Sequence, residues 1–198
     1  MSRIITIAVL LASLLFSTPL RPATETTYSN PVLVDTYSIR RLKPAPYTGS
    51  LGIGDPAVIF HEGKYYLYPT GDNHSYNVYV SDDLVHWTKG PKVFQTDETG
   101  LWAPDVFFNP DDGMFYLYYT VDGGIGVASS GRPDGVFHDL GSLIRNAIDA
   151  HMFRDDDGGY YLYYARYPEF GIFVQPMASP LLKKGGPVHS LRRPKTGR

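Results

Sequence analysis

The sequence contains no cysteine, so no disulfide framework holds this chain together, which suits a cytosolic protein or an exported one that does not rely on disulfides. It also lacks an excess of charge of either sign. The formal net charge is −2 and charged residues make up 19%, which excludes a basic field for nucleic acid and an acidic tail. Long hydrophobic runs are missing too. The longest, Ile4 to Phe16, is broken only by Thr6 and Ser13 and stopped by Ser17, Thr18 and Pro19. That is short of the roughly 20 residues of a membrane span. With Arg3 before it, the run reads as a cleaved signal peptide over residues 1–22, placing the protein in the secreted or periplasmic space with no membrane association after cleavage. Helical periodicity is the last absence: no stretch of ten or more residues after the signal carries it.

What is abundant is tyrosine, glycine and proline. The 16 Tyr and 10 Phe, set among 20 Gly and 16 Pro, indicate many short strands joined by turns. One unit occurs three times. Asp55-Pro-Ala-Val-Ile-Phe-His-Glu-Gly63 leads into Lys-Tyr-Tyr-Leu-Tyr-Pro-Thr70. Asp105 to Gly113 leads into Met-Phe-Tyr-Leu-Tyr-Tyr-Thr120, and Asp149 to Gly158 into Gly-Tyr-Tyr-Leu-Tyr-Tyr-Ala165. Each is a short apolar strand, a Gly/Asp turn and an aromatic strand, hence a hairpin. A third strand follows at Asn77–Ser81, Gly126–Ser130 and Gly171–Gln175, and an outer one at Lys92–Phe94 and near Leu140–Leu143. Four-stranded antiparallel units repeating at this spacing predict an all-β fold of β-propeller blades. A β-sandwich is the alternative, but it does not require its hairpins to resemble one another.

Three blades do not close a ring. The expected organisation is therefore a lead-in segment at 23–48, a partial propeller at 49–182, and a basic disordered tail at 183–198. That last stretch carries six of the 18 Lys and Arg and reads as a truncation or altered frame. An Asp opening each innermost strand would bring Asp55, Asp105 and Asp149 toward the mouth of one channel. Converging carboxylates cost stability and mark acid/base or metal sites, although an Asp can equally cap the start of its strand.

Gly54-Asp55-Pro56, the Gly63–Gly71 hairpin, Ser81-Asp-Asp-Leu-Val-His-Trp87, Leu101-Trp-Ala-Pro-Asp105 and Ile148-Asp149-Ala150 together resemble glycoside hydrolase family 43. The match runs from Gly54 to Leu182. The resemblance implies a five-bladed propeller and inverting hydrolysis of arabinose- or xylose-containing glycans, the expected partners being arabinoxylan, arabinan and their oligosaccharides. It implies Asp55 as the general base that activates water, and Asp149 as the residue that orients the general acid and raises its pKa. The family's acid, the Glu of a Glu-Gly-Pro motif in the fourth blade, has no counterpart here, and Glu169, followed by Phe-Gly, is not assigned to it. Loss of such an acid slows departure of a sugar leaving group by about 10²–10⁴-fold.

Substrate-contact candidates are Trp102, which either stacks on a sugar or wedges between blades, Asp105, and His151, which either lines the pocket or sits satisfied in the core. Trp87 is read as blade packing. No cofactor is expected. The resemblance allows a channel calcium in the full-length fold, held by a further blade. The Asp155-Asp-Asp-Gly158 run is too short for a calcium loop and reads as a solvated turn.

Overall fold

The computed structural model describes residues 54–166 and 171–191; the signal peptide, the lead-in segment and Glu169 lie outside the described residues. Thirteen strands and no helix occur among them. The first sheet runs β1 (Gly54–His61), β2 (Lys64–Thr70), β3 (Ser75–Ser81), β4 (Thr88–Gln95), each pairing antiparallel with the next. The second repeats that order with β5 (Trp102–Asn109), β6 (Met114–Val121), β7 (Gly124–Ser130) and β8 (His138–Arg145). The third contains β9 (Ala147–Arg154), β10 (Tyr160–Arg166) and β11 (Gly171–Ser179). These are the expected blades.

The fourth strand of the third blade corrects the boundary read at Leu182. β12 (Leu182–Lys183) pairs with Met177 and Ser179 of β11, and β13 (Val188–Leu191) pairs with Ile172, Phe173 and Val174. Part of the stretch read as a disordered tail is thus one broken outer strand. Backbone edges left open on β11 recruit it, and the Gln175 amide spans the break, donating to the carbonyls of Pro176 (2.8 Å) and Gly185 (3.1 Å). Charge composition alone hides such a strand, because an outer edge needs little apolar surface.

The Tyr-Leu-Tyr pattern is explained by where the second strands lie. Side chains alternate across a strand, and β6 is covered on both faces. Phe115, Leu117 and Tyr119 pack toward Tyr68, Tyr76 and Phe94 of the first blade. Tyr116 and Tyr118 pack toward Met152, Tyr160 and Leu162 of the third. The tyrosines carry their hydroxyls to polar partners across the seams. Tyr68 donates to the Pro133 carbonyl (2.7 Å), and the equivalent Tyr118 donates to the Pro180 carbonyl (2.8 Å), each in the outer turn of the next blade. Burial pushes both phenols far above their usual range, so they remain donors. Tyr118→Phe strands the Pro180 carbonyl and is expected to cost about 1–3 kcal/mol in urea unfolding. A change within error would show that the bond is not part of the seam.

Candidate active site

The first strand of every blade is interrupted at the same place. Asp55 lies in a bulge between Gly54, opposite Thr70, and Ala57, opposite Tyr68. Ala103 lies in one between Trp102, opposite Thr120, and Asp105, opposite Tyr118. Asp149 lies between Ile148, opposite Ala165, and His151, opposite Tyr163. All three bulge residues have positive φ, at 46°, 43° and 58°. Bulges redirect side chains beside functional sites, and aspartate tolerates this left-handed conformation better than most side chains.

Hydrogen-bond register therefore corrects the repeat alignment. Asp55 and Asp149 are equivalent, but the residue matching them in the second blade is Ala103, and Asp105 matches Ala57 and His151. The reason is the length of the hairpin turn. Two residues, Glu62 and Gly63, separate β1 from β2, whereas four, Pro110 to Gly113, separate β5 from β6. Aligning on the turn glycine slides the second blade by two positions, one full period of the strand. The true repeats start 48 and then 46 residues apart, a more even spacing than Asp55, Asp105 and Asp149 suggest.

Two threonines hold the bulges, and the sequence reading gave them no role. Thr70, almost fully buried, donates its hydroxyl to Asp55 Oδ2 (2.8 Å) and accepts the Ala103 N–H (2.7 Å). Thr120 accepts the Asp149 N–H (3.0 Å). Each links the end of a second strand to the bulge of the following blade. The available signal was the shared Thr closing the first two Tyr-Leu-Tyr strands, which the third blade replaces with Ala165.

Asp55 and Asp149 lie near enough for their charges to interact. Partial desolvation, and then the charge of Asp55, raise the carboxyl of Asp149 above its ordinary value. Thr70 meanwhile supplies a hydrogen-bond donor to Asp55 that Asp149 does not share. Of the two, Asp149 is thus biased toward keeping a proton.

Asp105 turns to the third blade. Its Oδ2 accepts the Met152 N–H (2.9 Å), an amide on the inner edge of β9, and its Oδ1 meets His151 Nδ1 (3.0 Å). The Asp105 hydrogen bond raises the His151 pKa above its usual value. The His151 side chain is 65% exposed, so the core-histidine reading does not hold. Trp102 likewise does not wedge between blades: it is 45% exposed. Its indole N–H donates to Asn73 Oδ1 (2.7 Å) and its carbonyl accepts the Tyr76 hydroxyl (2.9 Å). Gly100 lies beside one side of the ring, at ordinary contact distance for an added Cβ. Trp87 is half-buried, with its indole N–H on the Leu84 carbonyl (3.1 Å).

Among the described residues no group of three or more His, Asp and Glu side chains is arranged to hold a metal. Two of the three carboxylates at Asp155–Gly158 bond their own turn, Asp155 accepting the Asp156 N–H and Asp157 accepting the Gly159 N–H.

Residues 50–197 match the sequence profile of glycosyl hydrolases family 43. The chain belongs to that family. It is 33% identical over 183 residues to arabinan endo-1,5-alpha-L-arabinosidase A of Aspergillus aculeatus, an alignment covering 78% of this chain and 54% of that protein. A thermostable family-43 glycoside hydrolase of known structure superposes with a TM-score of 0.65 at 33% identity, over 73% of this chain and 55% of that one. An endo-1,4-beta-xylanase from Bacteroides thetaiotaomicron does so with a TM-score of 0.61 at 34% identity, over 67% and 49%. This family 43 chain therefore spans about half the length of the relatives it matches. Its three sheets are blades of the family's β-propeller, left open.

Proposed function

We propose that this family 43 chain carries the base side of an inverting glycosidase centre that acts on α-L-arabinofuranosyl linkages of arabinan-type polysaccharides. The observation that supports it best is the pair Asp55 and Asp149. They sit at equivalent strained positions, in charge contact, with a hydroxyl donor on the first and a raised pKa on the second. In inversion a carboxylate removes a proton from water as the water attacks the anomeric carbon, while an acid about 6.5–9.5 Å away protonates the leaving oxygen. Asp55 takes the first role. Asp149 orients the acid and raises its pKa. The acid is assigned to no described residue.

Trp102, Asp105 and His151 are the proposed substrate contacts. An indole ring pinned through its N–H offers an apolar face to a furanose, and the Asp105–His151 pair offers an acceptor and a donor to hydroxyls. Arabinan is favoured over xylan by the similarity to the Aspergillus aculeatus enzyme; the Bacteroides thetaiotaomicron similarity keeps xylose-containing glycans as the comparison ligand. The apolar run at Ile4–Phe16 supports export, testable by mass spectrometry of the N-terminus after secretion. No nucleic acid or membrane partner is proposed.

Calorimetric titration with α-1,5-arabinobiose and xylobiose tests the substrate reading. Arabinobiose is expected to bind more tightly, and Trp102→Ala to weaken it by about tenfold. Equal indifference to both sugars would sink the reading. The second reading is a carbohydrate-binding propeller without catalysis, for which the exposed Trp102 ring and the Asp105–His151 pair would suffice as contacts. Binding without any hydrolysis would select it.

A further inference from the structure

We propose that the cleft on the second blade, beside the link that enters it from the first, is a separate subsite for neutral pentose units, leading outward from the Asp55–Asp149 centre; this rests on reading that centre as a glycan site. The cleft has a volume of about 560 Å³, within the usual range for small-ligand pockets. Its rim is built by Glu98 from the link between the two blades, the Val121–Gly124 turn and the end of β8 at Arg145–Asn146.

Topology brings this cleft to the active end. Thr120, at the close of β6, pairs with Trp102 at the start of β5. The Gly123 carbonyl accepts the Ala147 N–H (3.1 Å), two residues before Asp149. On the other side, the Glu98 carbonyl lies 3.0 Å from Nδ1 of His74, in the same turn as the Asn73 that pins Trp102. No residue of the centre lines the cleft, but one hydrogen bond joins its rim to the turn that pins Trp102 and another joins it to the start of the strand that carries Asp149, so an oligosaccharide leaving Trp102 would meet it.

Its chemistry selects the ligand. Glu98, Asp122 and Asp139 line it with a single cation, Arg145, so uronic acids and phosphates are repelled. A divalent cation is disfavoured as well, because these carboxylates do not converge into a metal-binding group. What remains is a neutral polyol, whose vicinal hydroxyls donate to carboxylates and accept from guanidinium and amide groups. The donors are free to do so: no hydrogen bond or ion pair among the described residues uses the side chains of Arg145, Asn146 or Ser142.

The wall is also built to stay in place. Tyr119 lies so close over Gly126 that a Cβ there would come within 2.3 Å of its ring. Its hydroxyl is held by Asp139 (2.6 Å) and its ring by Phe94 at 4.7 Å. Preformed walls of this kind reduce the ordering cost of binding.

The test is an amide-resolved NMR titration of the full chain with α-1,5-arabinohexaose and with arabinobiose, alongside Ser142→Trp, which fills the cleft, and Arg145→Ala, which removes its cation. The hexaose, and not the biose, is expected to shift the amides of Gly123, Gly124 and Asn146. Both variants should weaken hexaose binding by about tenfold and leave biose binding unchanged. Unmoved cleft amides at saturating hexaose, or wild-type hexaose affinity in both variants, would overturn the subsite. If instead Trp102→Ala fails to alter biose binding, the reading of the centre falls, and the cleft as its extension falls with it.

Discussion

Asp55→Asn is expected to slow hydrolysis of α-L-arabinofuranosyl fluoride by about 10²–10⁴-fold, the usual worth of a positioned general base. The fluoride is chosen because it departs without protonation, so the acid, assigned to no described residue, is not required. Asparagine suits the site sterically. It tolerates the positive φ of 46° at position 55, and its carbonyl oxygen can still accept the Thr70 hydroxyl that now bonds Asp55 Oδ2. The loss would therefore report proton acceptance and not a collapsed bulge. Asp149→Asn supplies the contrast. If Asp149 acts through the acid, its loss should spare most of the fluoride reaction. Steady-state release of fluoride ion measures both. Equal losses in the two variants would mean that Asp55 has no separate role.

Leu117→Ala is expected to destabilise the chain by about 2–5 kcal/mol in urea unfolding, the range for truncating a large side chain in a core. Leu117 has no exposed surface and lies in the seam between the first and second blades. The β6 tyrosines cannot collapse into the gap, because Tyr116 and Tyr118 point to the opposite seam and Tyr119, on the Leu117 side, is held by Asp139. Phe60→Ala serves as the comparison. Phe60 is 62% exposed, so its loss is expected to cost about 0.5 kcal/mol or less. Similar values for the two variants would contradict the described packing of β6.

The blades were legible because their signal is local. A strand buried on both faces must be apolar or aromatic at every position, and a tight turn needs glycine, so each Tyr-Leu-Tyr hairpin announces itself. The equivalent placement of Asp55 and Asp149 was legible for the same reason, since each lies in the first strand of such a hairpin. The equivalence of Ala103 was not, because it depends on two additional turn residues whose effect is seen only in the pairing of β5 with β6. Thr70 was equally hidden: its partners are 15 and 33 residues away, one in its own blade and one in the next. The outer strand β13 was missed because edge strands are selected for pairing geometry more than for hydrophobicity. His151 misled because a strand position says which face a side chain shares, not whether a neighbour covers it.

Asp55 as the base is tested most directly by azide rescue of Asp55→Ala on α-L-arabinofuranosyl fluoride, followed by NMR. Azide attacks without losing a proton, so it can occupy the place of water once the carboxylate that deprotonates water is gone. Turnover should return with added azide, giving the β-configured arabinofuranosyl azide, and Asp149→Ala should show no comparable gain. An α-configured product, or no rescue at any azide concentration, would contradict the assignment of Asp55.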